Sequence, residues 1–258
     1  MRIIAVDWSG AASRAARKIW LAEASGGQLV RLECGRDRDQ LAALLVEEAR
    51  LDSALLVGID FAFALPAWYI AELGLTSAHE LWALADRDAE GWLTSCQPPF
   101  WGRPGRGKPQ LVEHFRRTER DVPTTAGISP KSVFQIGGAG AVGTGSLRGM
   151  RLLHRLSDAG FSVWPFDVPS LPCVIEIYPR LLTGPVKKSD PATRAEYLAT
   201  HFPALDPPAV QTASSSEDAF DAAVSALVMD AHRDRLLSLT LPKDDVYRLE
   251  GIIWHSAG

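Results

Sequence analysis

The chain is poor in the residues that build disulfide frameworks and zinc sites. Its 258 residues include three cysteines, Cys34, Cys96 and Cys173, far apart and with no C-x-x-C pair, so they read as reduced, unpaired thiols. The six histidines are scattered and form neither H-x-x-x-H nor H-E-x-x-H, so a histidine-built metal site is not expected. No apolar run approaches the ~18 residues of a membrane span. The N-terminal apolar stretch is too short for a signal-peptide core and is broken by Asp7. The expected location is therefore the cytoplasm, with no membrane partner. Internal repeats and low-complexity tails are also absent.

Hydrophobic content of 47% and charge of 22% describe an ordinary globular chain, long enough to bury a sizeable core. The net charge of −4 is unevenly spread. Ten Lys/Arg against three acids give residues 100–155 a charge of +7, leaving −11 for the remainder. Two readings stand: a phosphate-binding surface, or a solvated face paired with acids elsewhere.

The first sixty residues read as β-β-β-α-β. Strands are expected at Ile3–Val6, Lys18–Ala24 and Gln28–Glu33, the last two joined by a Ser25-Gly26-Gly27 turn. Helical spacing of Leu41, Leu44, Leu45 and Ala49 marks Asp39–Arg50. The apolar run Ala54–Ile59 reads as a buried central strand. Residues 61–160 are rich in Trp, Pro, Gly and Arg, with helical pieces at Ala67–Leu73 and Ala78–Ala85, and read as a long insertion. Strand character resumes at Phe161–Phe166 and Cys173–Tyr178. Helices are expected at Arg194–His201 and Glu217–Leu236, and a short strand at Arg248–Trp254. The simplest architecture is one α/β domain over 1–258, with 61–160 inserted into it.

Acids then stand out against this apolar background. Asp7 and Asp60 each end an apolar strand, where a sheet holds side chains rigidly in one crevice. Glu176 interrupts the apolar run CVIEIYP, a costly position for a carboxylate unless it is paired, hydrogen-bonded or metal-bound. The stretch SSSEDAFDAAVSALVMDA opens a helix. Ser215 with Asp218 three residues on resembles a capping box, which accounts for Glu217 and Asp218. It does not account for Asp221, which shares a face with Asp218 at i and i+3. Gathered in one place, Asp7, Asp60, Glu176, Asp218 and Asp221 would repel one another unless a hard cation neutralised them. Oxygen-only ligation suits Mg²⁺ or Mn²⁺, and such ions activate water and stabilise the leaving oxygen of a phosphodiester.

A three-strand meander, a helix, a fourth strand and a later acid-bearing helix is the plan of the ribonuclease H-like fold, a mixed sheet flanked by helices. The stretches AVDWSGA, VGIDFAFALP, SVFQIGGAGAVGTGSLRGM, VIEIYPR, EDAFDAAVSA and EGIIW resemble the domain-of-unknown-function 429 family, whose members are described as predicted nucleases of ribonuclease H fold. The D-x-x-D-A spacing at Asp218 and Asp221 is also similar to the last acidic motif of bacterial Holliday junction resolvases. The resemblance implies Asp7, Asp60 and Asp221 as metal ligands, with Glu176 and Asp218 in supporting catalytic roles. It implies a metal-dependent hydrolase acting on nucleic acid, DNA or RNA.

Gly138-Ala139-Gly140-Ala141-Val142-Gly143 is a literal G-x-G-x-x-G between an expected strand, Ser132–Ile136, and a helical run, Leu147–Ala159. Against a dinucleotide site, the motif lies in mid-chain, and Thr144-Gly145 postpones the helix that should open there. As a loop, Gly138 and Gly140 can offer backbone N–H groups to phosphate beside Arg148, or can serve as a hinge. Lys131 and Gln135 flank the loop and complete the expected substrate-binding set. Trp101 is the candidate for stacking on a base, Trp8 is placed to line the crevice, and Glu250 reads as a paired acid at the sheet end. Two other functions share these features. One is a Mg-nucleotide phosphotransferase or ATPase with the core of sugar kinases and actin. The other is a non-catalytic nucleic-acid-binding module.

Overall fold

Alternation along the first strand decides how the sheet is covered. In the computed structural model, which describes residues 1–125 and 127–256, β1 (Arg2–Asp7) turns Ile4 and Val6 into one apolar cluster and Ile3 and Ala5 into a second. Both faces of the strand are therefore buried, and helices must cover both. After β1 the chain forms the hairpin β2 (Trp20–Ser25) and β3 (Gln28–Cys34), then α1 (Arg38–Leu51), β4 (Leu55–Ile59), α2 (Ala67–Glu72), α3 (Ala78–Ser95), α4 (Arg117–Asp121) and α5 (Val142–Asp158). It continues through β5 (Ser162–Trp164), β6 (Cys173–Ile177), α6 (Pro179–Thr183), α7 (Pro191–His201), α8 (Pro207–Ala213), α9 (Glu217–Ala231), α10 (Arg233–Leu237), α11 (Asp245–Glu250) and β7 (Ile253–Trp254).

The result is an α/β structure with a mixed seven-stranded sheet, ordered β3-β2-β1-β4-β6-β5, with β7 also against β6. Only the pairings made by β2 are antiparallel. Leu41, Leu45, Ile70, Leu81, Trp82, Leu147 and Met150 bring α1, α2, α3 and α5 onto the Ile4/Val6 face. Leu182, Leu198, Ala213, Phe220 and Val224 bring α6 to α9 onto the other. No helix among the described residues is long and apolar enough to cross a membrane.

Residues 61–160 hold more regular structure than their composition suggests. α3 has a Ser77/Glu80 capping box and runs to Ser95, ten residues past the expected Ala85. α5 begins at Val142, so Thr144 and Gly145 lie in its first turn and do not delay it. The expected strand Ser132–Ile136 is absent; only a single bridge, Trp101 to Gln135, forms there. The G-x-G-x-x-G thus lacks the preceding strand that a dinucleotide fingerprint requires. Near the C-terminus the expected helix Glu217–Leu236 breaks at His232 into α9 and α10, and Arg248–Trp254 is the end of α11 followed by the two residues of β7.

Candidate functional site

Parallel pairing sets two strand ends side by side. Val6 on β1 is level with Ile59 on β4, and the Asp60 N–H donates to the Val6 carbonyl at 3.1 Å. Asp7 and Asp60 are the next residues along. Period-two alternation places Asp7 with Ile3 and Ala5, and Asp60 with Leu56 and Gly58, on the face that α9 covers. That helix rides close to the sheet because both surfaces are small there: Ala5, Ala22 and Ala24 below, Ala222, Ala223 and Ala226 above. Gly58 belongs to the same fit, since a Cβ on it would meet Met229 Sδ at 2.6 Å. The N-cap of α9 is Ser216, not Ser215; its hydroxyl accepts from the Ala219 N–H at 3.0 Å. Asp218 then falls in the first turn and Asp221 one turn deeper.

All five expected acids share one electrostatic neighbourhood, Glu176 through its charge on Asp60. Burial pushes the Asp7 carboxyl well up, and the charges of Asp221, Asp60 and Asp218 push it further. Asp60 is pushed up to about 8, by burial first and then by Asp221. Asp221 and Asp218 are also raised by burial. Burial raises the Tyr178 phenol too, with Asp60 and Asp221 adding to it. Asp7 is 9% exposed. Neither its carboxylate nor that of Asp60 accepts a hydrogen bond from the described residues, whereas buried carboxylates are ordinarily paired.

Asp221 does have a partner, one the sequence reading did not single out. Lys188 Nζ lies 2.7 and 2.6 Å from its two oxygens. Among the described residues no three acids, histidines or cysteines stand together as a ready-made metal cage; against Asp221 there is an ammonium. By donor type, Asp7 and Asp60 suit a hard cation, and Asp221 suits one once Lys188 has moved.

The fifth acid faces the other way. On β6, Ile175 and Ile177 turn toward α9, while Val174 and Glu176 turn to the opposite face. There Arg116 Nη2 and Nη1 meet Glu176 Oε1 and Oε2 at 2.5 and 2.8 Å, and the Phe63 N–H donates to Oε2 at 2.9 Å. Arg116 also bonds Glu119 at 2.9 Å and the Glu250 carbonyl at 2.9 Å. Glu176 thus anchors a buried arginine, and with Arg116 and Glu119 it forms part of the wall of a cleft that Asp60 also lines. Glu250 is a paired acid as expected: its carboxylate accepts from the backbone N–H groups of Ala67 and Arg117, tying α2 and α4 to α11.

The expected substrate-binding residues separate into two groups. Lys131 and Gly140 line a cleft of about 480 Å³, together with Trp8, Ser9, Lys18, Asp60, Tyr178 and the first turn of α5. Asp7, Asp221 and Lys188 adjoin Asp60 without lining the cleft, and Asp218 lies behind them, beside Asp7 and Asp221. Gln135 instead braces the glycine loop, its amide donating to the Gly137 and Ala139 carbonyls at 3.3 and 3.0 Å, with exposed Gly138 between them. Arg148 bonds both oxygens of Glu90 and the Gly10 carbonyl. It clamps the β1 exit loop to α3, outside the cleft that Lys131 and Gly140 line.

Pairing also divides the basic segment. Arg116, Arg117, Arg120, Arg148, Arg151 and Arg155 each meet an acid. Arg103, Arg106, Lys108 and Lys131 meet none among the described residues; Lys108 lies 5.9 Å over the ring of Trp101. Trp8 is 8% exposed, and its indole N–H donates to the Gly145 carbonyl at 2.9 Å, holding the Asp7 strand end against α5.

Compared with protein-family models, with curated proteins and with solved structures, the chain matches none.

Proposed function

We propose that the chain is a divalent-metal-dependent nuclease of ribonuclease H-like fold, as its resemblance to the domain-of-unknown-function 429 family implies. The observation that carries the reading is the convergence of Asp7 and Asp60, from adjacent parallel strand ends, with Asp221 of α9 in one negative cluster. The meander β3-β2-β1, the return through α1 to β4 and the acid-bearing α9 across the sheet support the fold assignment. Asp7 and Asp60, with Asp221 beside them bonded to Lys188, would hold Mg²⁺ or Mn²⁺, which when bound supplies water activation and charge neutralisation at a phosphodiester. Their oxygen donors, depth and mutual repulsion fit a hard cation.

The remaining residues bind and orient. Lys18 and Lys131 bring positive charge to the cleft. Gly140, Ala141 and Val142 place the N-terminal end of α5 there, where backbone N–H groups and the helix dipole favour phosphate. Arg103, Arg106 and Lys108, without acid partners and beside Trp101, extend the basic surface for a nucleic-acid strand. The test is a cleavage screen with Mg²⁺ and Mn²⁺ on single- and double-stranded DNA, a four-way junction, RNA and an RNA–DNA hybrid. Wild type cuts at least one substrate and Asp7→Asn cuts none. Activity persisting in Asp7→Asn removes that carboxylate from the mechanism, and silence on every substrate defeats the reading.

The α5 N-terminus beside Asp60 also suits the phosphates of a nucleotide, which favours the Mg-nucleotide phosphotransferase as the second reading. A thermal shift with Mg-ATP and none with oligonucleotides would select it.

A further inference from the structure

We propose that Lys188 is a resident cation of the carboxylate cluster, standing where a second metal ion would otherwise sit, so that the site takes one divalent cation, at Asp7 and Asp60. This rests on the metal-dependent reading above. Both Asp221 oxygens are engaged by Lys188 Nζ, and the two side chains are only 10% and 14% exposed. Asp7 and Asp60, in contrast, accept nothing from the described residues, and Asp7 is itself nine-tenths buried.

The lysine is delivered by a braced segment. It lies between α6 and α7, where no regular structure fixes the backbone. Arg180 Nη1 holds the Gly184 and Val186 carbonyls at 3.1 and 2.9 Å. Arg194, 3% exposed, bonds the Lys188 carbonyl itself and holds the Ser214 carbonyl at 2.9 and 2.7 Å. Asp190 caps α7 through the Ala192 N–H at 3.0 Å. Two guanidiniums therefore fix the chain on either side of Lys188. A surface lysine drifting toward an acid needs no such support.

Charge balance gives the stoichiometry. Ionised, as metal ligation requires, Asp7, Asp60 and Asp221 carry three negative charges, which one divalent ion and one ammonium neutralise. Two divalent ions beside the same ammonium would leave two positive charges in excess at a partly desolvated site, where unbalanced charge is expensive. Asp218, one turn back, has Lys18 as its own opposing charge, and Arg180, which also faces Asp221, is offset by the one acid that Glu176 and Glu119 have in surplus over Arg116.

The experiment counts Mn²⁺ ions bound by the full chain, by calorimetric titration and by the electron paramagnetic resonance signal of free Mn²⁺, in wild type, Lys188→Gln and Lys188→Arg. The expected counts are one ion for wild type, two for Lys188→Gln and one for Lys188→Arg. Two ions on wild type overturn the role of Lys188 and leave the metal-dependent reading standing. So does a count of one on both wild type and Lys188→Gln. No ion on any of the three overturns the metal-dependent reading and the role of Lys188 with it. The wild-type count decides between one ion and two even if Lys188→Gln does not fold.

Discussion

Replacing Arg116 by methionine tests whether the wall of the cleft is held by charge or by packing. The side chain is 1% exposed and makes four bonds to Glu119, Glu176 and the Glu250 carbonyl. Methionine keeps much of the length and removes the charge. Glu176 and Glu119, 2% and 7% exposed, are then left as carboxylates without a cation. Removing one partner of a buried ion pair costs about 3–5 kcal/mol, a large share of the roughly 5–15 kcal/mol that holds a typical protein folded. With a urea slope of about 3 kcal/mol/M, the midpoint should fall by roughly 1–1.7 M. If the cost lies in orphaned charge, Arg116→Met/Glu176→Gln should recover part of it, about 1–2 kcal/mol, because the amide still accepts from the Phe63 N–H. The sign of the pH dependence follows too. Burial already raises the Glu119 carboxyl, and loss of Arg116 raises it further. A group raised in the folded state gives stability present below its unfolded value and lost as pH rises through the folded one. The deficit of Arg116→Met should therefore shrink toward pH 5. A loss under 1 kcal/mol, or a double variant no better than the single, would refute the reasoning.

Asp60, moved from 3.8 to about 8, predicts that metal-free wild type loses stability as pH rises from about 4 through 8. At 1.36 kcal/mol per pKa unit the full effect would be about 6 kcal/mol, reduced to about 2–3 kcal/mol by solvent screening at a half-buried group. In EDTA, Asp60→Asn should thus match wild type near pH 4 and exceed it by that margin at pH 9; parallel pH profiles in urea melts would contradict this. Two glycines of the same helical turn should respond with opposite signs. A Cβ on Gly143 meets the Val133 carbonyl oxygen at 2.0 Å, whereas one on Gly145 meets nothing nearer than Trp8 Cδ1 at 3.6 Å. Gly143→Ala should cost about 1–3 kcal/mol and Gly145→Ala should gain about 0.4–1 kcal/mol, read as melting temperatures. Equal shifts in the two variants would break the argument.

The same alternation that makes strands readable explains which acids the sequence could pair and which it could not. Asp7 and Asp60 each follow an apolar run, and a strand-ending carboxylate is visible without knowing the register. That they share a face depends on Val6 meeting Ile59, a tertiary fact. Glu176 shows the limit of composition. An acid inside an apolar strand signals that something pays for its burial, but β6 turns it to the face opposite α9, where Arg116, sixty residues earlier, does so. Arg116 itself looked like one more charge in a basic stretch. Elements whose periodicity is complete within one segment, such as β1, β4 and α1, were legible nearly to their ends. Those set by packing, such as the first turn of α5 against Trp8 and Gly10, were not, because glycines that permit close approach look in sequence like glycines that break a helix.

Lys188 is the hardest case, and the most instructive. It sits in GPVKKSDP, a stretch with the composition of a solvated loop, and its neighbour Lys187 is exposed as such a loop predicts. Its partner is 33 residues away, so no local spacing links the two. What distinguishes Lys188 from Lys187 is that Arg194 holds its carbonyl, and the carbonyl of an irregular segment has no sequence signature. A cluster of acids could therefore be inferred from five carboxylates in apolar settings, but its resident cation could not. The charge of such a site has to be balanced residue by residue in three dimensions before the number of metal ions it accepts can be stated.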